Sequence, residues 1–159
     1  MNACARRVPL IAMLSALALG SVAAQAVELR GFRGVAWGSS VDGLGPASLA
    51  YQQGEVRCYR RERENMLYGD SPVKDIRYCF HHDHLFLVAL EADVGVDELV
   101  HEFQSTYGAP DVSVPAKVTW GDHATRARVE MSTTAQGGAS MLMYSNEYEP
   151  HAKREARAH

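Results

Sequence analysis

VRCYRRERENMLYGDSPVKDIRYCFHHDHLFLVALEA, residues 56–92, sets the architecture of this chain. Gly69, Asp70, Ser71 and Pro72 mark one turn, and His82-Asp83 marks the next. Between them residues 73–81 alternate, with Ile76, Tyr78 and Phe80 on one face, as a half-buried strand requires. Residues 85–90, LFLVAL, are unbroken apolar sequence, the pattern of a central strand buried on both faces. On the other side of the first turn, residues 56–63 read as a strand. Gln53-Gly54 would turn it back onto residues 49–52. The stretch therefore predicts antiparallel strands joined by tight turns.

The same stretch holds two of the three cysteines. Cys4 falls in an N-terminal segment expected to be removed, which leaves Cys58 and Cys79. A hairpin centred near Tyr68-Gly69 sets these two directly opposite each other. Opposed residues of a non-hydrogen-bonded pair have Cα atoms about 4.5 Å apart, a span a disulfide can close. An oxidising compartment favours the bond, and the wide sequence spacing speaks for a structural bridge and against a redox motif. The register also sets Arg60 beside Arg77 and Glu62 beside Asp75, with the diagonals Arg60–Asp75 and Glu62–Arg77 to compensate. It puts Arg57 and Arg61 on the face of Phe80 and Ile76. Long Arg stems can cover such a face, and a register off by one residue is the alternative.

Downstream, Val96, Leu99, Val100, Phe103 and Tyr107 fall on one helical stripe. Asp97 and Glu98 suit its first turn, Gly108 its C′ position, and Pro110 prevents continuation. Residues 117–120, 125–133 and 139–144 read as strands, the second with Ala127, Val129 and Met131 on one face and Arg126, Arg128 and Glu130 on the other. Upstream, Phe32 to Ser40 reads as an extended opening segment anchored by a buried Trp37. A short helical turn at residues 41–44 follows, capped by Ser39 or Ser40 and stopped by Gly43, Gly45 and Pro46. Val41-Asp42-Gly43-Leu44 resembles Val96-Asp97-Glu98-Leu99. The expected fold class is therefore α+β: an antiparallel sheet built from two helix-then-strands units, helices on one face.

The N-terminus predicts export. Arg6 and Arg7 precede an uncharged apolar run at residues 10–19, and Ala24-Gln25-Ala26 has the small residues of a cleavage site. The run is short for a membrane anchor, holds Ser15 and is flanked by Pro9 and Gly20. Residues 1–26 are thus expected to be a signal peptide, 27–149 a single domain, and 150–159 a flexible polar tail. The localisation expected is periplasmic or secreted. The full chain of 159 residues carries a formal charge of −3. Losing Arg6 and Arg7 makes it two units more negative, a poor match to nucleic acid. No second apolar stretch is long enough to span a membrane.

Phe32-Arg33-Gly34-Val35-Ala36-Trp37-Gly38, Tyr59-x-Arg61-Glu62, Ile76-x-Tyr78-x-Phe80 and Tyr107-Gly108-Ala109-Pro110 occur in that order along nearly the whole mature chain. In this the chain resembles a family of small exported bacterial proteins, a domain of unknown function. The helix-then-hairpin order is also similar to small outer-membrane assembly lipoproteins of the BamE type and to β-lactamase-inhibitor proteins. The resemblance implies a related αβ fold and a role in binding other proteins.

Candidate chemistry is sparse. Arg57, Arg61 and Arg63 alternate around Tyr59, so one strand face would offer three guanidinium groups and a ring to an anion or an acidic partner. The alternative is a solvated face with these arginines paired to Glu55, Glu62, Glu64 or Asp75. His81-His82-Asp83-His84 offers ligands of the kind zinc, copper or nickel takes. Neighbouring strand residues point to opposite faces, however, and the cluster falls on a turn, so no metal site is assigned and only weak metal binding is expected. Trp37, Trp120, Phe86 and Phe103 read as core. No phosphate loop, nucleophile elbow or acid–base couple stands out, and no cofactor is expected. The leading expectation is a non-catalytic exported domain that binds a protein or envelope partner. The alternative is a small anionic-ligand or metal-binding protein of the same compartment.

Overall fold

The hairpins read from residues 56–92 form one half of a large antiparallel sheet. The computed structural model describes residues 28–122 and 125–150. The expected signal peptide and residues 151–159 of the expected tail lie outside the described residues. In chain order the elements begin with β1 (Gly31–Phe32) and β2 (Val35–Ala36), a small separate hairpin, and a 3-10 turn at Val41–Leu44. Then come β3 (Ala47–Gln53), β4 (Val56–Arg61), β5 (Leu67–Tyr68), β6 (Ser71–His81) and β7 (His84–Ala92). Helix α1 (Val96–Tyr107) leads to β8 (Val112–Val114), β9 (Lys117–Trp120), β10 (Ala127–Thr133) and β11 (Ala139–Ser145). The sheet runs β3-β4-β6-β7-β11-β10-β9-β8, with β5 added beside β6.

The turn chemistry at His82-Asp83 sets the β6–β7 pairing at its tip. His82 (φ 47°) and Asp83 (φ 64°) both occupy the left-handed region, as a two-residue hairpin loop with the twist of its strands requires, and they pair His81 with His84. Cys58 pairs with Cys79, Val56 with His81 and Tyr59 with Tyr78, the register expected from the sequence. The cysteines are bridged, with Cα atoms 3.9 Å apart. Beyond Tyr59 the strands part. The turn at Gly69-Asp70 pairs Tyr68 with Ser71, and the intervening residues of the longer arm loop out. Arg60 therefore reaches Asp75 through two hydrogen bonds of 2.7 and 3.0 Å, the diagonal expected, while Arg77 pairs with Asp75 and Glu91 and not with Glu62.

One face of the sheet is the core. Tyr78, Val88, Leu90, Met141, Met143, Val129 and Met131 lie on it, covered by Leu99 and Phe103 of α1 and by Phe32, Val35 and Leu44 from the N-terminal side. Trp37, expected to anchor the opening segment, is only half-buried; its Nε1 donates to the Leu29 carbonyl at 2.9 Å, and Phe32 and Val35 do the anchoring. The 3-10 turn begins at Ser40 without a side-chain cap. Asp83 Oδ1, from the β6–β7 turn, accepts from Val41 N instead, at 3.2 Å.

The expectation of two helix-then-strands units is overturned. Among the described residues α1 is the single α-helix, and the fold is mostly β. Val41–Leu44 resembles the start of α1 in four residues only. Gly43, Gly45 (φ 74°) and Pro46 deny it the further residues over which helix propagation offsets nucleation.

Arg128 lies on the face opposite Val129 and Met131, as strand alternation predicts, and is buried there. It is 3% exposed and Glu149 is 2% exposed. The segment after β11 folds back across the far face of the sheet. There Arg128 Nη2 donates to Glu149 Oε1 at 2.9 Å, Nη1 donates to Asn146 Oδ1, and the guanidinium lies 4.2 Å from the centre of the Tyr144 ring. Asn146 Nδ2 ties the segment to the carbonyls of Asp122 and Thr125.

Candidate functional site

The arginines singled out in the sequence do not converge. Arg57 is exposed on β4. Arg61 turns beneath the sheet edge, where Nε donates to the Leu44 carbonyl at 3.1 Å and the guanidinium stands 5.3 Å from the centre of the Tyr78 ring. Arg63 lies past the end of β4 with φ 56°. Tyr59 packs edge-on against Phe80, 5.8 Å between centroids. Arg61 thus ties the 3-10 turn to the sheet. The register is as expected, and Arg61 is accommodated on the apolar face beside the Tyr78 ring.

Arg61 belongs to a network around Glu64. Tyr78 donates its hydroxyl to Glu64 Oε2 at 2.7 Å, Arg33 Nη1 donates to Oε1 at 2.9 Å, and Arg61 Nη1 stands 3.8 Å from Oε2. Arg33 also donates to the carbonyls of Asn65 and Leu67, which closes the loop between β4 and β5. Burial alone pushes the Glu64 carboxyl up. The hydrogen bonds from Tyr78 and Arg33 and the charges of Arg33 and Arg61 outweigh it and hold the group below its ordinary value of 4.5. Asp75 lies below its ordinary 3.8, chiefly through its hydrogen bond from Arg60. A depressed carboxyl contributes stability that is complete above its unfolded value and disappears as pH falls through the folded one. Urea midpoints are therefore expected to drop as pH is lowered from about 5 to about 3, with a shallower drop in Glu64→Gln. An unchanged slope in that variant would remove Glu64 from the account.

The histidine cluster behaves differently from its sequence reading. His81 ends β6 and His82 opens the turn, and the left-handed backbone at His82 brings the two rings to 4.1 Å between centroids. Glu55, in the turn between β3 and β4, meets them: its Oε2 stands 3.5 Å from His81 Nε2 and 3.2 Å from His82 Nε2. Asp83 and His84 are directed elsewhere. Asp83 caps the 3-10 turn, and His84 Nδ1 lies 3.0 Å from the Gly38 carbonyl, with its ring stacked on Tyr148. Sequence reasoning missed Glu55. The signal for it was present, since the register that opposes Cys58 to Cys79 brings the Gln53-Gly54-Glu55 turn beside His82.

Two open clefts flank α1, and Phe103 and Tyr107 line both. One, of about 490 Å³, adds Leu29, Trp120 and Arg126. The other, of about 310 Å³, adds Phe32, Arg33, Tyr68 and Met143. Large apolar side chains are exposed on the two edge strands: Leu49 (54%) and Tyr51 (48%) on β3, and Val112 and Val114 on β8. Among the described residues no helix is long and apolar enough to cross a membrane. The chain shows no significant match to a known family model, to a curated protein or to a solved structure.

Proposed function

We propose that this is an exported, non-catalytic domain that binds a partner polypeptide by taking an extended segment of it onto the outer edge of β3. The observation that carries the reading is the character of that edge. Ala47–Gln53 is seven residues long and has no charged side chain. Edge strands are normally blunted by charge, proline, brevity or a bulge, because their open N–H and C=O groups pair with any passing strand; of these β3 has the bulge alone. The other edge follows that rule: β8 has three residues and runs into Pro115. On β3 the bulge between Leu49 and Tyr51 pairs the first with Tyr59 and the second with Cys58, which lie on opposite faces. An added strand would meet one apolar anchor above the sheet and one below, in addition to backbone hydrogen bonds. The Ala24-Gln25-Ala26 site and the Cys58–Cys79 bridge support the exported compartment, periplasmic or fully secreted.

The test is site-specific photo-crosslinking in an exporting cell. With the photoreactive residue at position 51, one heterologous polypeptide should be captured on a chain whose intact mass begins at Val27. The same probe at position 112 should be silent, and Leu49→Lys should abolish capture. A full-length product would refute export. Capture of a second copy of the chain, or no capture, would refute the partner reading.

A further inference from the structure

We propose that Glu55, His81 and His82 form a binding site for a divalent transition ion of the zinc or copper class. All three residues lie outside β3. Three side chains each offer one ligand atom, and these atoms lie within 4.8 Å of one another. Bonds of about 2.0–2.2 Å around a tetrahedral ion place neighbouring donor atoms about 3.3–3.6 Å apart. The Glu55 oxygen stands 3.5 and 3.2 Å from the two imidazole nitrogens, close to that edge length. Two imidazoles and one carboxylate are the donor set of zinc, copper and nickel; calcium and magnesium call for oxygen ligands. Three protein ligands leave a position open to water or to a group of a bound partner.

The fold prepares the site. The ligands come from two hairpin ends, β3–β4 and β6–β7, that are far apart in sequence. Val56 pairs with His81, so the residues flanking the register pair bring Glu55 to the histidines. The Cys58–Cys79 bridge lies two residues inward from His81 on β6 and two from Val56 on β4, and it fixes the separation of the two ends. His82 contributes through its left-handed backbone, which turns its ring back toward His81 in place of the alternation a continuing strand would impose. The disulfide thus lowers the ordering cost of binding, and its reduction should weaken the site.

Isothermal titration of the mature chain, stripped with chelator, against ZnCl₂ and CuCl₂ tests this. One saturable equivalent is expected, and Glu55→Gln and His82→Ala should each weaken it by about tenfold or more. Both residues are exposed in turns, and circular dichroism should show both variants folded. His84→Ala should bind as the parent does, because His84 faces Gly38 and Tyr148. Cys58→Ala/Cys79→Ala should bind more weakly than the parent. Absence of saturable binding would overturn the proposal. So would binding that survives intact in the Glu55→Gln/His82→Ala double variant, which would place the ion on other groups of the chain.

Discussion

Arg128→Ala is expected to lower folding stability by about 3–5 kcal/mol, the range found when one partner of a buried ion pair is removed. The guanidinium is enclosed by Tyr144, Asn146 and Glu149, and its loss takes the Arg128 hydrogen bond and charge from a carboxylate that is 2% exposed. The cost is a large part of the roughly 5–15 kcal/mol that holds a domain together. Urea unfolding should show a lower midpoint at unchanged slope. Arg128→Met/Glu149→Gln should recover part of the loss, since the methionine keeps apolar contact with Tyr144 and no buried carboxylate remains. A midpoint for Arg128→Ala equal to the parent's would mean that the segment after β11 does not cover this face in solution.

Removing the bridge should have a comparable effect. Cys58 and Cys79 are 21 residues apart, and closing a loop of that size is worth about 3 kcal/mol in the chain-entropy account. Both sulfurs also lie in a small apolar cluster with Phe86, packed by Val56, Leu87 and Tyr148, so alanine or serine there gives up packing as well. Thiol counting on the denatured, unreduced mature protein should find none free, and Cys58→Ala/Cys79→Ala should unfold at distinctly lower urea. Two free thiols would refute the bridge. A variant as stable as the parent would refute its structural weight.

What the sequence revealed and what it hid follow from the range of the interactions. Local patterns were legible. The stripe from Val96 to Tyr107, the turn at His82-Asp83 and the opposition of Cys58 to Cys79 are read from neighbours or from a single hairpin. The two-unit α+β architecture was misread because Val41-Asp42-Gly43-Leu44 looks like a helix start over one turn, and one turn is all that Gly45 and Pro46 permit. Alternation along β10 correctly sets Arg128 on the face opposite Val129 and Met131. Alternation cannot show that residues 146–149 return to cover the second face. Glu55 was hidden for a similar reason, since it meets His82 only once two hairpins are aligned. The arginines around Tyr59 looked like a face because strand alternation was extended past Arg61, where β4 stops.

The order β3-β4-β6-β7-β11-β10-β9-β8 has a kinetic meaning. Residues 47–92 and 112–145 each form a run of strands paired with near neighbours in the chain. Within the large sheet, distant segments meet at one junction, where Leu87 to Ala92 lie against Ala139 to Tyr144. The largest loop-closure entropy in the sheet therefore falls on that seam. A chain emerging N-terminus first offers the whole of the first run, both cysteines included, before β11 exists. The crosslink can form in a half-sheet that still lacks its neighbour, and the second half then docks onto a template already locked in register.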